Sequence, residues 1–126
     1  MSRLPYTLAL IPLALALGLA GCAPAPRPSR TALGGDPEQG AVIMVREACG
    51  ACHEIPGVQL AHGEVGPPLT GFARRTMIAG LLPNTPQNLA QWIRTPQTYV
   101  PGNAMPDIAV SPQQAADMAA YLETLS

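Results

Sequence analysis

Proline sets where this chain can be helical. Pro56, Pro67, Pro68 and Pro83 punctuate residues 54–84, and Pro96, Pro101 and Pro106 punctuate residues 95–110. Each removes a backbone donor and fixes φ, so these stretches read as long loops. Three other prolines do the opposite, because each follows a residue that caps helices. Asp36-Pro37-Glu38-Gln39, Thr85-Pro86-Gln87-Asn88 and Ser111-Pro112-Gln113-Gln114 all place Pro at the first helical position. The first helix is expected from 37 to about 50, ending at Cys49, with Val42, Val45 and Ala48 at helical spacing and Ala41 beside them. The second runs from Thr85 until Pro96 stops it. The third carries Ala115, Met118, Ala119, Leu122 and Leu125 as its buried stripe. No segment of useful length alternates with period two. The expected class is all-α, with three to four helices and long Pro/Gly-rich loops.

Such a domain is short of material for its own core. Aromatics make up 4 % of the 126 residues, with Trp92 and Phe72 the sole members of their types. A small domain buries only a modest share of its surface. Loops of this length usually carry function, and a central apolar ligand would organise them. Charge offers little else: charged residues are 12 %, the net charge is −1, and all seven basic residues are arginine. No basic face invites nucleic acid.

The N-terminus reads as an address. Arg3 precedes an apolar run from Leu8 to Ala20, which finishes Leu19-Ala20-Gly21-Cys22. A positive start, an apolar middle and small residues before a cut form a signal peptide. The ending resembles the bacterial lipobox, which implies a lipid on Cys22. An uncleaved membrane anchor is the alternative, although Pro5 and Pro12 and the small-residue finish weigh against it. The expected organisation is a lipoprotein signal peptide at 1–21, a lipidated Cys22 with a Pro-rich tether to residue 36, and one folded domain at 37–126. Extended polyproline-like chain rises ~3.1 Å per residue, so the tether reaches about 45 Å at most. The domain is thereby placed outside the cytoplasm, on the periplasmic side of a bacterial membrane.

Cys49-Gly50-Ala51-Cys52-His53 is the most specific motif in the chain. Cys-x-x-Cys-His is a c-type haem attachment sequence: the two thiols add to the vinyl groups, and the histidine falls under the iron as proximal ligand. A structural disulfide, a thioredoxin-like pair and a zinc half-site are the competing readings. The thioredoxin reading lacks its βαβ context, and zinc would find only His62 as a fourth ligand.

From this motif onward the chain resembles a class I c-type cytochrome. The matching pieces are the helix into Cys49–His53, then Gly66-Pro67-Pro68-Leu69-Thr70-Gly71-Phe72, then Tyr99-Val100-Pro101-Gly102-Asn103-Ala104-Met105-Pro106, then a C-terminal helix. The likeness is strongest to the cytochrome c domain fused to subunit II of some haem–copper oxidases, through Arg75–Gly80, Leu82–Pro86, Asn88–Arg94 and Pro101–Pro106. The copper-binding cupredoxin part of that subunit is lacking here. The resemblance implies a small cytochrome c fold around one covalently attached haem c.

Five methionines compete for the sixth iron position. Met1 is removed, Met44 and Met118 read as core, and Met77 sits in a loop without a family match. Context and resemblance favour Met105, with His62 as the rival and an open site as the third case. The resemblance also implies that the Pro67 carbonyl accepts from His53. It places an arginine on a haem propionate, either Arg74 or Arg75, with Arg75 preferred. Trp92, Tyr99 and Asn103 are further candidates for the haem surroundings, against simple packing.

With His53 and Met105 both bound, iron has no position for substrate, so the expectation is a one-electron carrier rather than an enzyme. It would act in a respiratory chain, between a quinol-oxidising complex or other donor and a terminal haem–copper oxidase, as a monomer anchored by its lipid. The other readings are a haem enzyme or gas sensor with a displaceable Met105, and a fixed subunit of an oxidase complex. Lacking lysine, the chain has little with which to steer onto an acidic partner.

Overall fold

The structure, a computed structural model, describes residues 33–126. The expected signal peptide, Cys22 and the expected tether as far as residue 32 lie outside the described residues. Helix α1 (Pro37–Arg46) leads into a 3₁₀ turn at Cys49–Ala51, and a second 3₁₀ turn follows at Phe72–Arg74. A hairpin of two short strands, β1 (Met77–Ile78) and β2 (Leu82–Pro83), pairs Met77 with Pro83 and Ile78 with Leu82. Then come α2 (Pro86–Arg94), the one-turn α3 (Pro96–Tyr99) and α4 (Pro112–Leu122).

All three capped starts form as the sequence implies. Asp36 accepts from the backbone N–H groups of Glu38 and Gln39, and Thr85 accepts from that of Asn88. Ser111 and Gln114 close a reciprocal capping box. In α4, Ala115, Met118, Ala119 and Leu122 are buried, whereas Leu125 lies beyond the helix and is half-buried.

Helix α1 departs from expectation twice. It ends at Arg46, not at Cys49, because Ala48 adopts the left-handed conformation at φ 55° and swings the cysteine segment into a separate turn. Its buried face is also a different one. Val42 and Val45 are 62 % and 49 % exposed, and Pro37, Gly40, Ile43 and Met44 are buried instead. The reason is α4. A Cβ at Gly40 would overlap the backbone carbonyl of Asp117, so the helices approach closest at a residue with no side chain. Asp117 itself is buried, accepting from Asp36 N and Gln113 Nε2, each at 2.9 Å.

Helices α1, α2 and α4 hold the core, in which Met44, Ile55, Leu89, Met118 and Pro96 are the largest fully buried side chains. The loops close one side of it, and between loops and helices lies a cleft.

Candidate functional site

The cleft has a volume of about 470 Å³. Cys49, Cys52, His53, Gly66 and Pro67 line it from one segment, and Asn103, Ala104, Met105 and Pro106 from another. Leu89, Trp92 and Ile93 of α2 and Met118 and Leu122 of α4 supply much of its apolar wall.

The cysteine segment is built from backbone. The amides of both Cys52 and His53 donate to the Cys49 carbonyl, at 3.2 and 3.0 Å. Gly63 N donates to Gly50 O at 3.0 Å, and Gly66 N to Cys52 O at 2.7 Å. Both thiols are free. Burial pushes the Cys49 thiol above its ordinary range, and the nearby Glu47 carboxylate adds to the effect. No group of three or more His, Cys, Asp or Glu among the described residues converges as a metal-ion site, so the zinc reading has no geometry behind it.

His53 is oriented from two directions. Its Nδ1 lies 2.8 Å from the Pro67 carbonyl oxygen. A carbonyl can only accept, so Nδ1 carries a proton and Nε2 is the nitrogen left to face a metal. Against the ring sits Gly66, where any Cβ would overlap Nδ1, Cε1 and Nε2. The glycine is required by proximity, and the ring has one place to go.

The other candidates divide. Arg75 lines the cleft, with its guanidinium 5.0 Å from the centre of the Phe72 ring and donating to the Pro68 carbonyl. Arg74 is exposed and does not line the cleft. Trp92 and Asn103 line it. Tyr99 does not: its hydroxyl donates to Gln91 Oε1 at 2.7 Å and its ring stands 6.2 Å from that of Trp92. His62 is exposed, bridged to Glu54 by backbone, and outside the cleft, as is Met77. Met44 and Met118 are core residues whose side chains also reach the cleft wall.

The sequence profile of the cytochrome c family matches residues 37–126. The chain belongs to the cytochrome c family. Its cofactor is therefore haem c, covalently attached, and its chemistry is electron transfer. The cleft fits that group: it is large, mostly apolar and lined by two thiols, an oriented imidazole and the thioethers of Met44, Met105 and Met118, with Arg75 available for a carboxylate. Without the haem this largely apolar lining would face solvent, so in this cytochrome c the haem completes the core as well as carrying the electron.

Relatives agree. The chain is 38 % identical over 88 residues to cytochrome c oxidase subunit 2 of Alkalihalophilus pseudofirmus, covering 69 % of this chain and 25 % of that protein. It is 34 % identical over 64 residues to cytochrome c oxidase subunit 2 of Bacillus sp. PS3, covering 49 % and 18 %. The chain thus spans a quarter or less of these relatives. Among solved structures it is similar to SoxXA from P. pantotrophus, with 26 % identity and a TM-score of 0.54 over 72 % of this chain and 82 % of that one. The small, mostly helical cytochrome c fold is common to both.

Gln97 escaped the sequence reading. Its amide contacts three residues of the Met105 loop. A lone glutamine in a Pro-rich segment gives no signal that separates it from a solvated side chain.

Proposed function

We propose that this cytochrome c is a membrane-tethered carrier of single electrons, with haem bonded to Cys49 and Cys52, ligated by His53 and Met105, and a terminal haem–copper oxidase as acceptor. When bound, the haem supplies one-electron Fe(III)/Fe(II) chemistry, and methionine ligation with burial favours a raised potential. The observation that carries the reading is the convergence on one apolar cleft of both thiols, the His53 ring with its Nδ1 committed to Pro67, and Met105. Pro67 raises the basicity of the ligating nitrogen. The apolar wall would limit water around a bound haem, and Arg75 would offer the positive charge for a propionate.

The acceptor is suggested by the relatives, which are oxidase subunits, and the donor by chemistry: a quinol-oxidising complex upstream. A fixed place in an oxidase complex is the second reading, favoured by the same relatives. It is separated from the first by whether the purified protein exchanges between partners.

Two features bear on tethering. Leu33, the first described residue, lies in a groove with Gln87, Gln91 and Arg94 on one face of α2, whereas Leu89, Trp92 and Ile93 on another face line the cleft. On this reading the tether would enter the domain beside the face of α2 that does not line the cleft. Among the described residues positive charge is limited: Arg46 pairs with Glu47 at 2.8 Å, Arg94 Nε donates to Val110 O at 3.1 Å, Arg75 is turned to carbonyls, and Arg74 is the remaining arginine, exposed outside the cleft. Docking is therefore largely apolar, and the lipid on Cys22 replaces long-range steering by confining the search to the membrane.

The test is oxidase turnover. The tether-free domain should lose little rate between low and physiological ionic strength, and removing Cys22 should slow turnover on membranes far more than salt does. A steep fall with salt, together with no effect of removing Cys22, contradicts the proposal.

A further inference from the structure

The loop carrying Met105 has almost no backbone support of its own. Among the described residues, no backbone–backbone hydrogen bond reaches Ala104, Met105 or Pro106. The support comes from two amide side chains instead. Asn103 Oδ1 accepts from Met105 N at 2.8 Å, and Asn103 Nδ2 donates to Val100 O at 2.6 Å. Gln97 does more. Its Nε2 donates to the carbonyls of Asn103 and Met105, at 2.9 and 2.7 Å, and its Oε1 accepts from Gly102 N at 2.8 Å. Its own backbone N–H donates to Asp107 Oδ1 at 3.1 Å. One half-buried residue of the one-turn α3 therefore ties down positions 102, 103, 105 and 107.

From this geometry we infer that Gln97 is a positioning residue for the sixth ligand: its amide holds the Met105 loop in ligating position and so sets how readily the thioether leaves the iron. The inference rests on Met105 being that ligand. The chemistry asks for an amide. Two carbonyl oxygens need donors and one backbone N–H needs an acceptor, and no other uncharged side chain of this length offers both. Glutamate keeps the volume and the acceptor but turns an oxygen toward the two carbonyls. Leucine keeps most of the volume and loses all three side-chain bonds. A purely structural glutamine would, when replaced, lower stability and leave ligation alone.

The experiment uses the full-length, haem-loaded protein and its Gln97→Leu, Gln97→Glu and Met105→Ala variants. Covalent haem and far-ultraviolet circular dichroism report the fold. The ferric long-wavelength band of sulfur–iron ligation, carbon monoxide binding to the ferrous form and the reduction potential report the ligand. Both Gln97 variants should keep their haem and helix signal, weaken the band, lower the potential and raise carbon monoxide uptake at least about tenfold, the scale expected when two (Gln97→Glu) or three (Gln97→Leu) hydrogen bonds are lost. Wild-type band, potential and carbon monoxide resistance in either folded variant would overturn the inference. So would failure of both to fold, since the role would then be general. If Met105→Ala itself keeps the band, it is the ligand assignment that fails, and the two failures are distinguishable.

Discussion

Residues 49–67 and residues 97–107 each bring one of the two proposed iron ligands, His53 and Met105, to one cleft, yet they are fixed by different means. The His53 segment is locked by main-chain hydrogen bonds (among them Gly66 N to Cys52 O at 2.7 Å), by the Pro67 carbonyl, and by a glycine that leaves the ring no alternative seat. The Met105 loop hangs on two amide side chains. The first arrangement survives changes of side chain and tolerates little change of backbone volume. The second is the reverse. If His53 and Met105 are the proposed axial pair, its two ends differ in how they are held, and exchange is expected at the methionine.

The largest expected effect breaks both halves at once. A Cys49→Ala, Cys52→Ala double variant should mature without covalent haem and fail to acquire the native helix signal, because its cleft would be left open at the centre of the core. Mass spectrometry after acid denaturation, with far-ultraviolet circular dichroism, checks this. A stable, haem-free native fold would remove the premise that haem closes the core.

Next come two changes that separate the halves. Gly66→Ala places a methyl group in the His53 ring and should cost about 2 kcal/mol, as overpacking does. That lowers the melting temperature by roughly 10 °C for a domain of this size, while the sulfur–iron band persists. Asn103→Ala should show the opposite balance. Its stability loss is about 1 kcal/mol, but the band weakens and carbon monoxide gains access. Equal behaviour of the two variants would erase the distinction drawn between the segments.

How much of this was legible in the sequence follows from the same contrast. Cap-and-proline signals give all three main helix starts, since each is a local hydrogen-bond arrangement written in four consecutive residues. The cleft, too, is foreshadowed by Cys49, Cys52, His53 and Met105. The end and face of α1 are not. Counting Val42, Val45 and Ala48 as an apolar row overlooks that a glycine can be the most closely packed position on a helix, as Gly40 is against α4. Ala48 at φ 55° gives no sign of its conformation, because alanine is ordinarily a helix former. Tyr99 was a candidate for the haem surroundings, and tertiary packing turns it instead to Gln91. Gln97 works through partners five to eight residues away in a loop whose shape no periodicity encodes.

Ala48 also supplies the smallest effect. Left-handed backbone strains a residue with a Cβ, and glycine relieves it at some cost in unfolded-chain entropy. Ala48→Gly should therefore leave stability unchanged or raise it by about 0.5 kcal/mol in thermal unfolding, with spectra unaltered. A clear loss of stability would mean that the turn into Cys49 is not a strained element of the His53 segment.

The central claim, that Met105 rather than another of the cleft's thioethers completes the iron's coordination, is tested most directly by proton NMR of the ferrous protein. Met44 and Met118 also reach the cleft wall, so the choice is a real one. One methionine methyl signal should be displaced far upfield by the porphyrin ring current, lost in Met105→Leu and kept in Met44→Leu and Met118→Leu. A displaced signal that survives Met105→Leu, or the absence of one in the wild type, would contradict the account.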